Sequence, residues 1–279
     1  GRPLRTASPN ASAQGFAGIG FGKFGGIELG YGSDLDLGFL YDAVDGHAMT
    51  VGEKPIPAVQ FYGRLGQKVR HILDSKMLSG VLYEVDLRLR PSGNSGLLVA
   101  HIDGYERYLR EDAWTWEHQA LVRGRFIAGD KALQPHYEAI RRRILGLLRE
   151  VAKLKTEVKD MREKMRETLD TKEAGVFDLK QSPGGIVDIE FMVQFGILAH
   201  TAHDESLVTY TDNVRLIEAL QGYGFFTQEH ADELKNIYRE YRAYGHRQVL
   251  QGQKALADAS EFATQRSFVQ QLWKSLMGV

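Results

Sequence analysis

The spacing of apolar residues changes once along the chain, and that change constrains the fold more than any single motif. Up to about residue 100, glycines separate the runs Phe16 to Phe21, Leu35 to Tyr41, Val81 to Leu89 and Leu97 to Ala100, which read as strands. Pro57 to Asp74, Asp103 to Leu109 and Trp114 to Arg125 read as helices among them. From Gln134 the pattern is helical, with Pro135 suited to a first turn and a charged amphipathic run reaching Thr168. Further helices are expected at Ile186 to His200, Asn213 to Gln221, Gln228 to Leu250 and Glu261 to Met277. The break falls at Gly129 to Gln134, which predicts an α+β chain: a sheet domain over 1–132 and an all-α helical bundle over 133–279.

A chain of 279 residues, 43% hydrophobic and 25% charged, has material for two modest cores. It has no cysteine, which excludes disulfides, thiolate metal sites and a cysteine nucleophile and fits a reducing compartment, with the cytoplasm as the default. A net charge of -1 argues against a protein whose affinity comes from neutralising nucleic-acid phosphates. No apolar run approaches the ~18 residues of a membrane span, and no signal peptide opens the chain. Residues 1–14 are rich in Pro, Ser, Ala and Asn without periodicity, so the chain is expected to begin inside a linker of something longer.

Ser33-Asp34-Leu35-Asp36-Leu37 carries the chemistry. On a strand, Asp34 and Asp36 face one way while Leu35 and Leu37 face the other. In Glu84-Val85-Asp86-Leu87-Arg88-Leu89-Arg90 the acids and the two arginines likewise share a face. If the two strands pair, three carboxylates converge beside two guanidiniums. Such a set suits divalent metal held against a triphosphate, with hard oxygen ligands for the ion and cations for the remaining phosphate charge.

Upstream, Gly20-Phe21-Gly22-Lys23-Phe24-Gly25 matches a dinucleotide-binding glycine pattern, with Asp42 placed as a ribose ligand would be. Gly26 to Ser33 is too short for the crossover helix that reading needs, about 10–12 residues at the least. The better parsing is the pair Gly25-Gly26, a short spacer, then Asp-x-Asp, in which the glycines admit phosphates to the backbone and turn its N–H groups toward them.

That arrangement resembles the nucleotidyltransferase superfamily of DNA polymerase β. The runs 20–36, Tyr83 to Gly93, Ala113 to Leu121, Phe177 to Lys180 and Gly184 to Phe191 are together similar to the bifunctional glutamine synthetase adenylyltransferase/adenylyl-removing enzyme family. The resemblance implies a polymerase β-like catalytic domain with a mixed sheet, followed by a helical bundle. It implies two related copies of this unit in one longer polypeptide, of which this chain looks like the carboxy-terminal, AMP-attaching copy. The implied reaction moves AMP from ATP to a tyrosine hydroxyl of glutamine synthetase and releases pyrophosphate. Its closest rival is phosphate-driven removal of AMP by the same chemistry.

Asp34, Asp36 and Asp86 are then the expected ligands of two Mg²⁺, with Asp86 also a candidate proton acceptor. Lys23, Gly25 and Gly26 are the expected triphosphate contacts. Ser33 either donates to a phosphate or starts the strand, and Arg88 and Arg90 either contact nucleotide or orient the carboxylates. Trp114, Trp116 and His118 are expected to pack at the domain junction. Asp188 and Glu190 read equally as acids complementing a helix dipole and as residues facing the nucleotide cleft. Lys153 to Arg166 reads as a solvated helix face. The resemblance adds a PII signalling protein and glutamine as regulators.

Overall fold

The computed structural model describes residues 2–3, 15–43, 48–51, 53–76, 78, 80, 83–171 and 173–278. The expected linker, residues 1–14, lies outside the described residues apart from Arg2–Pro3. Two compact units are present, 1–144 and 145–279.

In the first unit the elements run β1 (Arg2–Pro3), β2 (Gly15–Gly20), α1 (Gly22–Gly25), β3 (Leu35–Asp42), β4 (Thr50–Val51), α2 (Ala58–Leu73), β5 (Val85–Asp86), β6 (Val99–His101), α3 (Ile102–Glu111), α4 (Thr115–Val122), β7 (Arg125–Gly129) and α5 (Gln134–Leu145). Strand β3 is the centre of a mixed five-stranded sheet. Strand β2 lies antiparallel on one side of it, with β7 beyond. The other side is shared by two parallel partners, β5 along Leu35–Asp36 and β6 along Phe39–Tyr41. Leu35, Leu37, Phe39 and Tyr41 point into one apolar cluster with Tyr62, Leu87 and Val99, as the period of two requires. Tyr62 of α2 stacks on Tyr41 at 5.0 Å, which seats that helix on this face. The antiparallel pairing of β2 with β3 removes the dinucleotide-binding reading, since a crossover unit joins parallel strands.

Four expectations change here. The strand read over Val81 to Leu89 narrows to β5; positions 81 and 82 lie outside the described residues. Beyond Asp86 the backbone turns on itself, Arg88 N donating to Asp86 Oδ1 at 2.8 Å and Arg90 N to Arg88 O at 2.9 Å. The helix read to Arg125 stops at Val122, and Arg125–Gly129 forms β7 instead, because its N–H and C=O groups find partners on β2. The charged run from Gln134 to Thr168 is two helices, α5 and a second one in the next unit. Finally, the first unit ends after Ile144 rather than at 132. Helix α5 belongs with the sheet: Tyr137, Ile140 and Ile144 are fully buried, and Arg141 donates to the Leu121 and Val122 carbonyls at 3.1 and 2.5 Å. Burial there pulls the Arg141 guanidinium down to about 10.

The second unit continues with α6 (Val151–Leu169), β8 (Val176–Asp178), α7 (Ile186–His200), α8 (Asn213–Tyr223), α9 (Gln228–Leu250), β9 (Leu256–Asp258) and α10 (Ala263–Met277). It is mostly helical but not all-α, because β8 and β9 pair antiparallel. Helix α7 is apolar on nearly every side and is buried almost throughout, as a central helix must be. Asp188 in its first turn is fully buried and accepts from Arg162 Nε at 2.6 Å, Arg166 at 2.7 Å and Gly184 N at 2.7 Å. The run read as a solvated face therefore includes Arg162, a fully buried guanidinium. Glu190 accepts from Asn213 at 3.3 Å, within the same unit.

Candidate active site

Parallel pairing of β3 with β5 sets Asp36 opposite Asp86, the convergence predicted on condition that the strands meet. Leu35 N donates to Glu84 O at 2.7 Å and fixes that register from the start of β3. Asp34, Glu84 and Asp86 line an open cleft of about 340 Å³. Arg88 and Arg90 line it too, although they stand in the turn beyond β5 and not on a continuous strand.

Arg88 is the hub of the charges. Its Nη2 lies 2.5 Å and its Nε 2.8 Å from Asp86 Oδ2. The guanidinium is held above its ordinary value by Asp86 first, and also by the charges of Asp36 and Asp34, so all three carboxylates act on one cation. In return Arg88 holds the Asp86 carboxyl below the ordinary range. Carboxylates crowded together need such a counter-charge when nothing else neutralises them. A carboxylate held ionised in this way suits ligation better than proton abstraction at neutral pH.

Among the described residues no group of three or more carboxylates and imidazoles is arranged to hold a metal ion as it stands. The donor chemistry nevertheless fits one: the oxygens are hard, two carboxylates rise from paired positions of adjacent strands, and the carboxylate of Asp36 lies over Gly22 where any Cβ would strike its Oδ2. Gly22 also has φ +52°, a conformation that glycine adopts without strain.

The glycine pair does something other than expected. Gly25 N donates to Phe21 O at 2.8 Å and Gly26 N to Gly22 O at 3.0 Å, so both amides are spent inside the single turn of α1 and do not cradle phosphate. Glycine at 25 is required by close approach: a Cβ there would collide with the carbonyl oxygens of Arg123 and Gly20. Lys23 lies on α1 and is not among the residues lining the cleft. Ser33 is buried, its Oγ accepting from Gly30 N at 3.2 Å, which makes it a turn residue at the mouth of β3.

Several residues at the site had no signal in the sequence. Arg125 of β7 donates to Gly25 O at 2.8 Å and to Phe24 O at 3.1 Å, clamping α1 from a strand a hundred residues later. Arg123, buried, forms an ion pair with Glu28 in the segment that leaves α1. Arg70 of α2 and Asn94 line the cleft. Trp114 is 71% exposed at the start of α4 and does not pack as expected, while His118 bonds the Leu109 carbonyl at 2.7 Å. Glu117 accepts from Trp114 N at 2.9 Å and from the Tyr108 hydroxyl at 2.8 Å, tying α4 to α3.

Residues 1–140 match the family model of glutamate-ammonia ligase adenylyltransferase. The chain belongs to that family. Residues 152–274 also match the model described as GlnD PII-uridylyltransferase. Relatives within the adenylyltransferase family include the bifunctional glutamine synthetase adenylyltransferase/adenylyl-removing enzymes of Methylococcus capsulatus and Nitrosococcus oceani. Each is 50% identical over 99% of this chain, and 29% of the relative's length is covered. The enzyme of the same name from Pseudomonas putida is 47% identical over 94% of the chain. This family member thus spans less than a third of the length of the curated relatives it matches.

Proposed function

We propose that the first unit is a polymerase β-like nucleotidyltransferase domain that moves AMP from ATP to a tyrosine hydroxyl of glutamine synthetase and releases pyrophosphate, and that the second is its helical companion domain. The observation that carries this reading is the pairing of Asp36 with Asp86 across β3 and β5, beside a cleft lined by Asp34, Asp86 and Arg88, in a chain of this family. Asp34, Asp36 and Asp86 would hold two Mg²⁺, which when bound neutralise triphosphate charge and make the attacking phenol more acidic. Arg88 keeps Asp86 ionised and so ready to ligate. Arg88 and Arg90, which line the cleft, would supply charge for the phosphates, and Arg125 holds the turn of α1 that carries Lys23 in place through its two carbonyl contacts. The phenol releases its proton to solvent as its oxygen bonds to the α-phosphorus, and the bond from that phosphorus to the bridging oxygen breaks so that pyrophosphate leaves with it, an in-line displacement for which positioning and charge neutralisation suffice.

The relatives are named for adenylyl removal as well as adenylyl transfer, so phosphorolysis is the second reading. Control by a PII protein and glutamine, a cytoplasmic location and the absence of a nucleic-acid partner belong to the same proposal. No described helix is long and apolar enough to cross a membrane.

Mass spectrometry of glutamine synthetase incubated with this chain and Mg-ATP tests the proposal. An AMP-sized gain on one tyrosine is expected, absent with Asp34→Asn or Asp36→Asn while circular dichroism is unchanged. Transfer retained by either variant would sink the metal assignment. AMP release only on adding phosphate and adenylylated target would reverse the direction.

A further inference from the structure

The segment from Gly22 to Asp34 begins and ends at the acids of the site. At its start Phe21 N donates to Asp36 O at 2.9 Å, and Gly22 lies against the Asp36 carboxylate. Its end is Asp34 itself, six residues beyond Glu28. Asp34 is exposed, so its place is set by the backbone that carries it rather than by packing of its own side chain.

Two features of this segment cost stability. Ile27 has φ +58° and is 63% exposed. A β-branched residue is strained in that conformation, and an exposed one offsets little of the strain by burial. Ile27 is held there because Glu28 N donates to Lys23 O at 2.8 Å and Ile27 N to Phe24 O at 3.4 Å, the two bonds that close the end of α1 on a left-handed residue. Next to it, Glu28 pairs with Arg123 at the end of α4, their side chains only 10% and 3% exposed. A buried ion pair gives up hydration on both sides, and well-packed apolar side chains of similar volume often hold two elements together as firmly.

What the ion pair supplies and an apolar contact does not is direction, since a charge-assisted hydrogen bond fixes where its two ends lie. Here it ties the middle of the segment to the stretch where Arg125 holds the Phe24 and Gly25 carbonyls. Leu29 then packs on the apolar cluster of the sheet, and Ser33 N donates to Gly30 O at 3.1 Å, which carries the fixed course on to Asp34.

We propose that Glu28 and Arg123 are a positioning pair: they fix the course of residues 27–33 and thereby hold the carboxylates of Asp34 and Asp36 at the spacing a divalent cation takes. The inference rests on the metal-assisted reading of the site and adds to it two residues that act through the backbone and do not ligate.

The test compares the unaltered chain with the double variant Glu28→Met and Arg123→Met, an apolar pair close in volume, and with Glu28→Gln. The readouts are the thermal midpoint, Mn²⁺ affinity by electron paramagnetic resonance, and kcat and KM for ATP at saturating Mg²⁺. A pair that only stabilises the fold is replaced by the apolar one with every readout kept. The positioning role predicts a thermal midpoint close to that of the unaltered chain, Mn²⁺ affinity and kcat each lower by about tenfold or more, and a KM for ATP little changed. Mn²⁺ binding absent from the unaltered chain, or equally tight in the folded double variant, would overturn the pair's role, as would transfer by that variant at the unaltered kcat. Should the double variant not fold, Glu28→Gln, which keeps the shape without the charge, carries the same expectations and the same contrary results. Pair-dependent Mn²⁺ binding in a chain that transfers no AMP would keep the positioning role and remove the proposed reaction. AMP transfer with Mn²⁺ affinity indifferent to the pair would do the reverse.

Discussion

Gly25 shows how little room the site has at the scale of one residue. A methyl group there would meet two backbone oxygens, from Arg123 and Gly20, and backbone cannot rotate aside as a side chain can. Gly25→Ala is expected to cost about 2–3 kcal/mol of unfolding free energy, read from urea denaturation, where the same change at solvent-open Gly63 costs nothing comparable. The sequence signalled that a glycine pair precedes the acids but not what the pair is for. The pattern is shared by loops that bind phosphate through amides and by turns that only need to pass close to a neighbour, and the neighbour, Arg123, lies about a hundred residues away. The juxtaposition of Asp36 with Asp86 was legible for the opposite reason, since two-residue alternation fixes the face of each side chain locally and leaves only the pairing of the strands open.

Elements depend on arginines whose roles are set by tertiary partners. Arg125→Ala is expected to loosen α1 and lower AMP transfer at least tenfold, with Arg125→Lys recovering part of it, because one ammonium can satisfy one of the two carbonyls but not both. Steady-state rates beside thermal midpoints separate this from general destabilisation. Helix α5 is held to α3 by Glu106, which accepts from Arg143 at 2.7 Å and from Arg110 at 2.9 Å. Arg143 first, with Arg110 beside it, holds the Glu106 carboxyl at about 2. A carboxyl depressed on folding stabilises above its ordinary value of 4.5 and loses that contribution as pH falls toward about 2. Glu106→Gln should therefore lower stability at pH 7 by about 1 kcal/mol, a screened, partly exposed interaction. The difference from wild type should close between pH 4.5 and 2, and a gap that persists at pH 2 would contradict this. The helix ends read from sequence for α7 and α9 coincide with the observed ones, α7 being a continuous apolar run after Gly184-Gly185 and α9 a long run opened by Thr227 as N-cap. Strand β7 was missed because the helical reading was carried to Arg125 through Gly124, the residue at which the chain leaves α4 and turns into the strand.

At the scale of the whole molecule, the first unit closes with α5, so residues 1–144 are expected to unfold as one cooperative step and residues 1–132 not to fold stably. The shorter fragment lacks Tyr137, Ile140, Arg141 and Ile144, and the Leu121 and Val122 carbonyls lose the Arg141 guanidinium that bridges them. Urea titrations of the two fragments, followed by tryptophan fluorescence, would decide. Two halves of different periodicity were evident from the sequence. The twelve-residue displacement of their boundary was not, since a helix that finishes a sheet unit has the same spacing as one that begins a helical unit.

The meeting of Asp36 with Asp86 rests on a β5 only two residues long. Slippage of that strand by one place against β3 would exchange Asp86 for Val85 or Leu87 at the paired position, trading a charge for a hydrocarbon at the site and pulling Leu87 away from the apolar cluster. Under the proposed reading, AMP transfer would be a sensitive gauge of strand alignment, one that registers a shifted register which spectroscopy of secondary structure would pass as native.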